Sequence, residues 1–584
     1  MEGGRVSPLF PLATLAASLA VALPHAGRFA WDPQPATDSI RVVRRVADAQ
    51  RSFEAFRRNR LPIAAGVHDQ CDVRVGRYCY WRGDDDDEEP GVEPASIREQ
   101  RDELIRTLDS ASQALPGDAW LAGQLVRYLV EAGRPNDAVG FASSQCHATA
   151  AWCAALTGYA AHIGGRFEVA DSAFALALAA MDSSERCKWF DISDLLDDEL
   201  AGRFQALDCS ARERFARRLF WMGAPLYSVS ETDLLTEYLA RLTRARIAEH
   251  AAAPDGEAWA DDIRALVVRY GWPRWYTRTP AAPGSLREAS YTGHDAGLPY
   301  CFLPSARAFD HIGRTTTADW SLDDPQARTG YAPVFARSMH DLPSQIATFR
   351  RGDSTLVVAA WDARKDTTLL GRQLDAALAL TDGNRSAIAR QSMAGSVGRI
   401  SATGIVDSGL VSLELLAVAD RRAARIRIGI ATRPSNRIAL SDLLLHAPVG
   451  AGGAGSAGSA GSAALATVID SALATATIVG GRQVGVYWET YGLRAQGEPV
   501  QFTLTVEPVA GNWLRRAAER LHFTDPSRES RLHWEEVPQK VHGVAARDLR
   551  LDLSTLRPGR YRIDLSVITR IADSVVTSRE IELR

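Results

Sequence analysis

The apolar residues of this chain change their period once. From Thr37 to about His250 they recur mostly at helical spacing, and from Ser344 onward they alternate one by one, most strictly in Arg425-Ile426-Arg427-Ile428-Gly429-Ile430. A period near 3.6 buries one stripe of a helix, whereas a period of two buries one face of a strand. Helices therefore come first and strands follow, which predicts a multidomain α + β protein: an N-terminal α-helical repeat region, a small α/β segment, and two C-terminal antiparallel β-sandwiches. At roughly 100–200 residues per domain, 584 residues suit that division. The chain is 46% hydrophobic and 24% charged, which excludes a disordered polymer and a multispan membrane protein. A net charge of -4 gives no electrostatic reason to expect nucleic acid as a partner.

The first residues set the compartment. Arg5 precedes an apolar run from Leu9 to Leu23, and small residues follow at Ala20, Ala22 and Ala26, the order of a cleaved secretory signal peptide over 1–26. The run is shorter than the ~20 residues of a spanning helix, and no later stretch is long and apolar enough to span. An extracytoplasmic location is expected, in the periplasm, the outer envelope or the medium. Seven cysteines fit that compartment, and their spacing suggests local disulfides Cys71 with Cys79, Cys146 with Cys153, and Cys187 with Cys209, leaving Cys301 as a buried thiol. The absence of a CxxC argues against a zinc ribbon or a thioredoxin-type redox site.

Region 37–209 is expected to be helical. Ile40, Val43, Ala47, Phe53 and Phe56 lie on one face of a helix that ends before Pro62, with a solvated arginine-rich face opposite. The acidic run Asp84 to Glu89 lacks the alternation and the turn glycine of a calcium loop and reads as a solvated loop. Between Ile97 and Met181, Gly133 and Ala138 recur 32 residues later as Gly165 and Ala170, and these units resemble the helix-turn-helix of the tetratricopeptide repeat.

In region 210–342, Trp259-Ala260-Asp261-Asp262 is followed by a strand-like run, Leu266 to Pro273. Here the chain resembles the GWxTD-domain proteins of bacteria. Trp259 and Asp262 match the tryptophan and aspartate of that signature, and Tyr270, Gly271 and Pro273 match the Tyr-Gly-x-Pro that follows it, while Ala258 and Asp261 replace the glycine and threonine. The resemblance extends from roughly residue 100 to the end and implies no settled activity. Three neighbouring pairs, His294 with Asp295, Asp310 with His311, and His340 with Asp341, lie in the loop-like stretch that comes next. Adjacent residues on a strand face opposite ways, so such a pair is no base with its orienter unless the chain turns sharply. Trp259, Asp262, Tyr270, Gly271, Pro273, His294 and Tyr300 are the candidate binding residues. No catalytic residue, metal ligand or cofactor is assigned.

Sandwich 1 is placed at 343–448, with strands around an Arg350-Arg351-Gly352-Asp353 turn and Leu443-Leu444-Leu445 closing it. Sandwich 2, at 465–584, has an immunoglobulin-like pattern with a Leu556 to Tyr561 turn read as a hairpin, and each sandwich is expected to keep one face wet. The Gly/Ala/Ser run at 449–464 formally contains GxGxxG, but without a βαβ unit or a following acidic residue it reads as a linker. GxSxG, HExxH and GxxxxGK[ST] are all absent. These features together point to an exported non-enzymatic interaction or scaffold protein of the bacterial envelope that holds a protein partner. The alternative is an extracytoplasmic hydrolase working from the 291–341 loop region.

Overall fold

The structure is a computed structural model that describes residues 34–63, 73–75, 78–80, 92–281, 284, 289–294, 299–324, 326–405, 408–431, 437–448, 462–479, 483–494, 497, 499–509, 530–540, 543–570 and 574–584. The segment 1–26 expected to be a signal peptide, Cys71, the acidic run, Asp295 and most of the glycine-rich run lie outside the described residues, as do the side chains of Cys79 and His294. The helical half contains α1 (Gln34–Arg58), a small hairpin of β1 (Val73–Val75) and β2 (Tyr78–Tyr80), α2 (Ala95–Ala114), α3 (Ala119–Glu131), α4 (Pro135–Ser144), α5 (Ala150–Ile163), α6 (Phe167–Ala180), α7 (Ser183–Trp189), α8 (Asp198–Gln205), α9 (Cys209–Met222), α10 (Asp233–Ala248) and α11 (Asp261–Tyr270). A hairpin of β3 (Trp275–Thr279) and β4 (Ser290–His294) and the short α12 (Ala306–Asp310) complete it.

The two sequence units share the same turn. Gly133 and Gly165 sit just past α3 and α5 at φ of 72° and 71°, where only glycine is unstrained. At each, the glycine N–H donates to the carbonyl three residues back (Val130, His162) and the next N–H to the carbonyl five residues back (Leu129, Ala161), all at 2.9 Å. This double bond pattern ends a helix and aims the next one back along it. Ala138 and Ala170 are fully buried, letting the paired helices approach. The disulfide Cys146–Cys153 closes the α4–α5 loop, and Cys187–Cys209 ties α7 to the start of α9. Cys301 is half-buried rather than buried, its Sγ 3.9 Å from the Leu303 carbonyl. Of the 16 residues of α10, 14 are buried, because this helix lies against α3, α5 and α6 and is enclosed on most sides.

Two helical expectations need correction. The run Leu266 to Pro273 is not a strand: residues 261–270 form α11, with Asp261 and Asp262 at its positive N-terminal end and Val267, Val268 and Tyr270 buried. A short apolar run fits either a strand or a buried helix, and Gly271 (φ 89°) with Pro273 terminates the helix. The polar face of α1 is not wholly solvated either. Glu54 is fully buried, its carboxylate accepting from Arg127 Nη2 at 2.8 Å and Tyr128 Oη at 2.7 Å, and Arg57 donates to Glu131 at 2.9 Å.

The strand half starts with β5 (Ser338–Asp341), β6 (Ser344–Arg351), β7 (Ser354–Asp362), β8 (Gln373–Thr381), β9 (Ser386–Ala394), β10 (Val397–Gly404), β11 (Ser408–Ala417) and β12 (Arg422–Ala431). They form a sandwich of two sheets, β10-β7-β6 and β5-β12-β11-β8-β9, over a core that includes Trp361, Leu378 and Leu413. Next come β13 (Ala439–Leu440), β14 (Leu444–His446), α13 (Ser462–Ser471), β15 (Thr477–Ile478), β16 (Gln483–Tyr491), β17 (Val500–Pro508), β18 (Ser530–Glu536), β19 (Ala545–Asp552), β20 (Gly559–Thr569) and β21 (Ser574–Leu583). In this second sandwich β16 is flanked by β13 and β14 on one side and β19 on the other, facing the sheet β15-β21-β20-β17-β18 across Trp488, Phe502 and Ile563.

Three strand-half expectations also change. Leu443 to Leu445 does not close the first sandwich, because β14 pairs with β16 of the second. The Leu556 to Tyr561 turn is no hairpin: β19 and β20 belong to opposite sheets, and Tyr561 Oη donates back to Arg557 O at 2.9 Å, a tyrosine corner. The end of the linker, 462–464, is already helix α13, whose Leu465 and Val468 are buried between the sandwiches with Phe349 and Tyr487.

Candidate functional site

The outer face of β11 and β12, expected to be wet, is covered by the helical half. Strict alternation puts Arg425 and Arg427 on one face of β12, and both are buried against the 222–228 turn. Arg427 donates to Met222 O at 2.8 Å and Ala224 O at 2.9 Å, and Arg425 donates to Pro225 O at 2.8 Å. Glu414 on β11 accepts from the N–H groups of Tyr227 and Ser228, both at 2.9 Å, and from Ser228 Oγ at 2.6 Å. Burial and the neighbouring Arg427 push Arg425 down to about 9. Alternating charged residues that look solvated in sequence thus form the polar centre of the domain junction.

The candidate binding residues are only partly brought together. Arg241 on α10 reaches the C-terminal end of α11, donating to Arg269 O at 2.7 Å, and also donates to Gly330 O at 2.7 Å. Gly271 turns the chain away beside that guanidinium. Tyr270 is buried there, and Arg269 donates to its hydroxyl at 2.9 Å. Tyr300 exchanges backbone hydrogen bonds with Tyr331 at 3.0 Å, and its hydroxyl accepts from Met339 N–H at 2.8 Å. Pro273 packs under Gly293, and the His294 backbone is paired with Trp275. Trp259 and Asp262, both half-buried, stand at the other end of α11, roughly 15 Å away for ten helical residues. The other pairs do not converge on a pocket. Asp310 is clamped by Arg203 at 2.6 and 3.0 Å, while His340 and Asp341 are successive residues of β5 and point to opposite faces.

Beside Tyr300 lies a buried polar cluster that spacing does not reveal, since His162 on α5 is 74 residues from the Thr236 it meets on α10. His162 Nδ1 is 2.9 Å from Thr236 Oγ1 and its Nε2 is 2.7 Å from a Glu237 carboxylate oxygen, whose other oxygen accepts from Arg241 at 2.6 Å. The pattern is hydroxyl, imidazole, carboxylate, but all three groups are buried. The adjoining cavity, lined by Tyr300, Phe302 and Tyr331, holds about 10 Å³. That is room for about one water, whereas ligand pockets run to hundreds of cubic ångströms. The cluster therefore supports the fold.

Asp233, at the start of α10, is buried, and desolvation raises it well above the usual carboxylate range, the backbone N–H groups of Leu234 and of Asp233 itself pulling the other way. The unfolded state ionises near the ordinary value while the folded state keeps its proton, so this residue lowers stability as pH rises above the unfolded value. Asp233→Asn should accordingly stabilise the protein, and by more at pH 8 than at pH 5. Calorimetric melting at the two pH values checks it, and an equal or opposite change would refute the assignment.

The open site lies elsewhere. A groove of about 550 Å³ runs between α2 and α4 with α3 beneath. Its floor is Ile105, Leu125, Leu129 and Phe141, and its rim carries Asp102, Arg106, Asp109, Arg134, Asp137 and Gln145. None of these was a candidate from the sequence, where they read as ordinary amphipathic positions. Among the described residues no group of His, Cys, Asp and Glu is placed to hold a metal ion, and no helix is long and apolar enough to cross a membrane.

No family model matches the chain, and no curated protein matches it. Among solved structures it aligns with red sea bream transglutaminase at 11% identity, over 41% of this chain and 31% of that one, with a TM-score of 0.14. It aligns with a DUF3823 family protein from Bacteroides ovatus at 8% identity, over 41% of this chain and 100% of that one (TM-score 0.15), and with the FN1–FN3 domains of chicken CNTN1 at 11% identity, over 42% and 67% (TM-score 0.15). The chain thus spans about a third of the transglutaminase, and likenesses of this depth carry no argument about shape or activity.

Proposed function

We propose that this is an exported, non-enzymatic interaction protein of the bacterial envelope, in which the α2–α4 groove takes a segment of a protein partner. The observation that carries this reading is a contrast of access. The acid, base and hydroxyl groups near Tyr300 are consumed in internal contacts around a cavity of about 10 Å³, whereas the groove is open, with a charged rim over a strip of largely buried apolar side chains. The leader-like N-terminus and the two disulfides support export. We also read the chain as a divergent GWxTD-domain protein with tetratricopeptide-like units. The recurrent glycine turns and the order of helices and sandwiches support this, while the helical form of residues 261–270 departs from the expected strand.

A photo-reactive residue at Gln145 should give one discrete adduct in intact cells, and the partner so identified should bind the purified protein unless Gln145→Trp fills the groove. Turnover of any member of a peptide, ester and glycan panel by wild-type protein would overturn the reading in favour of a hydrolase.

A further inference from the structure

We infer that the groove selects a cationic segment, its basic side chains held by Asp102 and Asp109 and its apolar stems lying over the narrow strip that the largely buried Ile105, Leu129 and Phe141 leave uncovered; this rests on the groove being the binding site. Asp102, Ile105, Arg106 and Asp109 stand at i, i+3, i+4 and i+7 of α2 and so form one line along the rim. The charges on that rim cancel except at two points. Arg106 is paired with Glu103 on its own helix, and Arg134 with Asp137 at 2.7 Å. Asp102 enters no ion pair among the described residues, and the contact of Asp109 is to the neutral amide of Gln113, at 3.0 Å. What remains for an incoming chain is two carboxylates seven residues apart, roughly 10 Å along the helix axis, beside a narrow strip of largely buried apolar side chains. An extended segment covers that distance in about three residues, so two basic residues three or four positions apart reach both carboxylates. An acidic segment would meet two negative charges with no opposing cation left over.

The groove is also distinct from the surface that paired helices first suggest. The side of α3 and α5 that faces α10 is filled by that helix, with Gln124 donating to Ile247 O at 2.8 Å, so no external segment enters there.

The test uses the full-length protein and three labelled twelve-residue peptides that share a leucine pattern and differ only in carrying arginine, glutamine or glutamate at the charged positions. The arginine peptide should bind about tenfold tighter than the glutamine peptide, from one ion pair at the exposed Asp102 and one at the half-buried Asp109, and the glutamate peptide more weakly still. Raising salt should shrink the difference. Asp102→Asn combined with Asp109→Asn should erase the preference for arginine over glutamine. If all three peptides bind equally and Gln145→Trp blocks them all, the charge selection is overturned while the groove stands. If none binds, the groove reading fails and the inference with it.

Discussion

Glu414→Ala is expected to cost about 3–5 kcal/mol of folding free energy, the range for removing one partner from a buried charge cluster. Glu414 receives two backbone N–H groups of the 222–228 turn and lies 3.8 Å from Arg427, which is itself buried and bonded to the carbonyls of that turn. The mutant leaves Arg427 and Arg425 enclosed without their shared anion and leaves the N–H groups of Tyr227 and Ser228 unanswered. Desolvation already presses on Arg425, so the loss falls on a group with no margin. Calorimetry should show a large fall in the melting temperature of the unit containing the junction. A change below about 1 kcal/mol, the scale of an exposed pair, would mean that the helical half and the first sandwich are not held together here. Glu414→Gln, which keeps an acceptor for the turn, should lose less.

Limited proteolysis should cut first within Gly450 to Gly461, since a glycine-rich stretch adapts to a protease at little cost, and the nicked protein should still elute as one particle. The strands β13 and β14 precede the cut and yet pair with β16 beyond it. Arg579, after the cut, donates to Leu443 O at 3.0 Å and Ile346 O at 2.7 Å, both before it. Arg351 binds both oxygens of Glu489 across the same boundary, and Phe349, Leu444 and Tyr487 share one buried cluster. The two fragments should separate only in denaturant. Separation in native buffer would show that the sandwiches are joined by the linker alone.

Much of the fold was legible because it depends on local spacing. The helical period of α1 to α6, the glycines that turn α3 into α4 and α5 into α6, and the alternation of β6, β7, β12 and β17 are each written within a few residues. So were the disulfides Cys146–Cys153 and Cys187–Cys209, whose partners are near in sequence. Errors arose where a local pattern has two solutions. Residues 266–270 suit a strand or a buried helix turn, and Leu443 to Leu445 suits either sandwich, the choice being made by the hydrogen-bonding edge that β16 offers.

Alternation by itself determined that Arg425 and Arg427 share one face of β12, but not that this face is buried; the carbonyls of the 222–228 turn, about 200 residues away in sequence, decide that. The same holds for the site. Composition and spacing determined a folded α + β chain without the common hydrolase, zinc-protease or phosphate-loop motifs. Only the tertiary structure decided that α10 fills one side of the paired helices, that His162, Thr236 and Glu237 meet in a buried interior, and that the open groove falls between α2 and α4. The physical reason is that periodicity reports which residues share a face, whereas the occupant of that face is fixed by contacts between distant segments, and a sequence read locally does not record them.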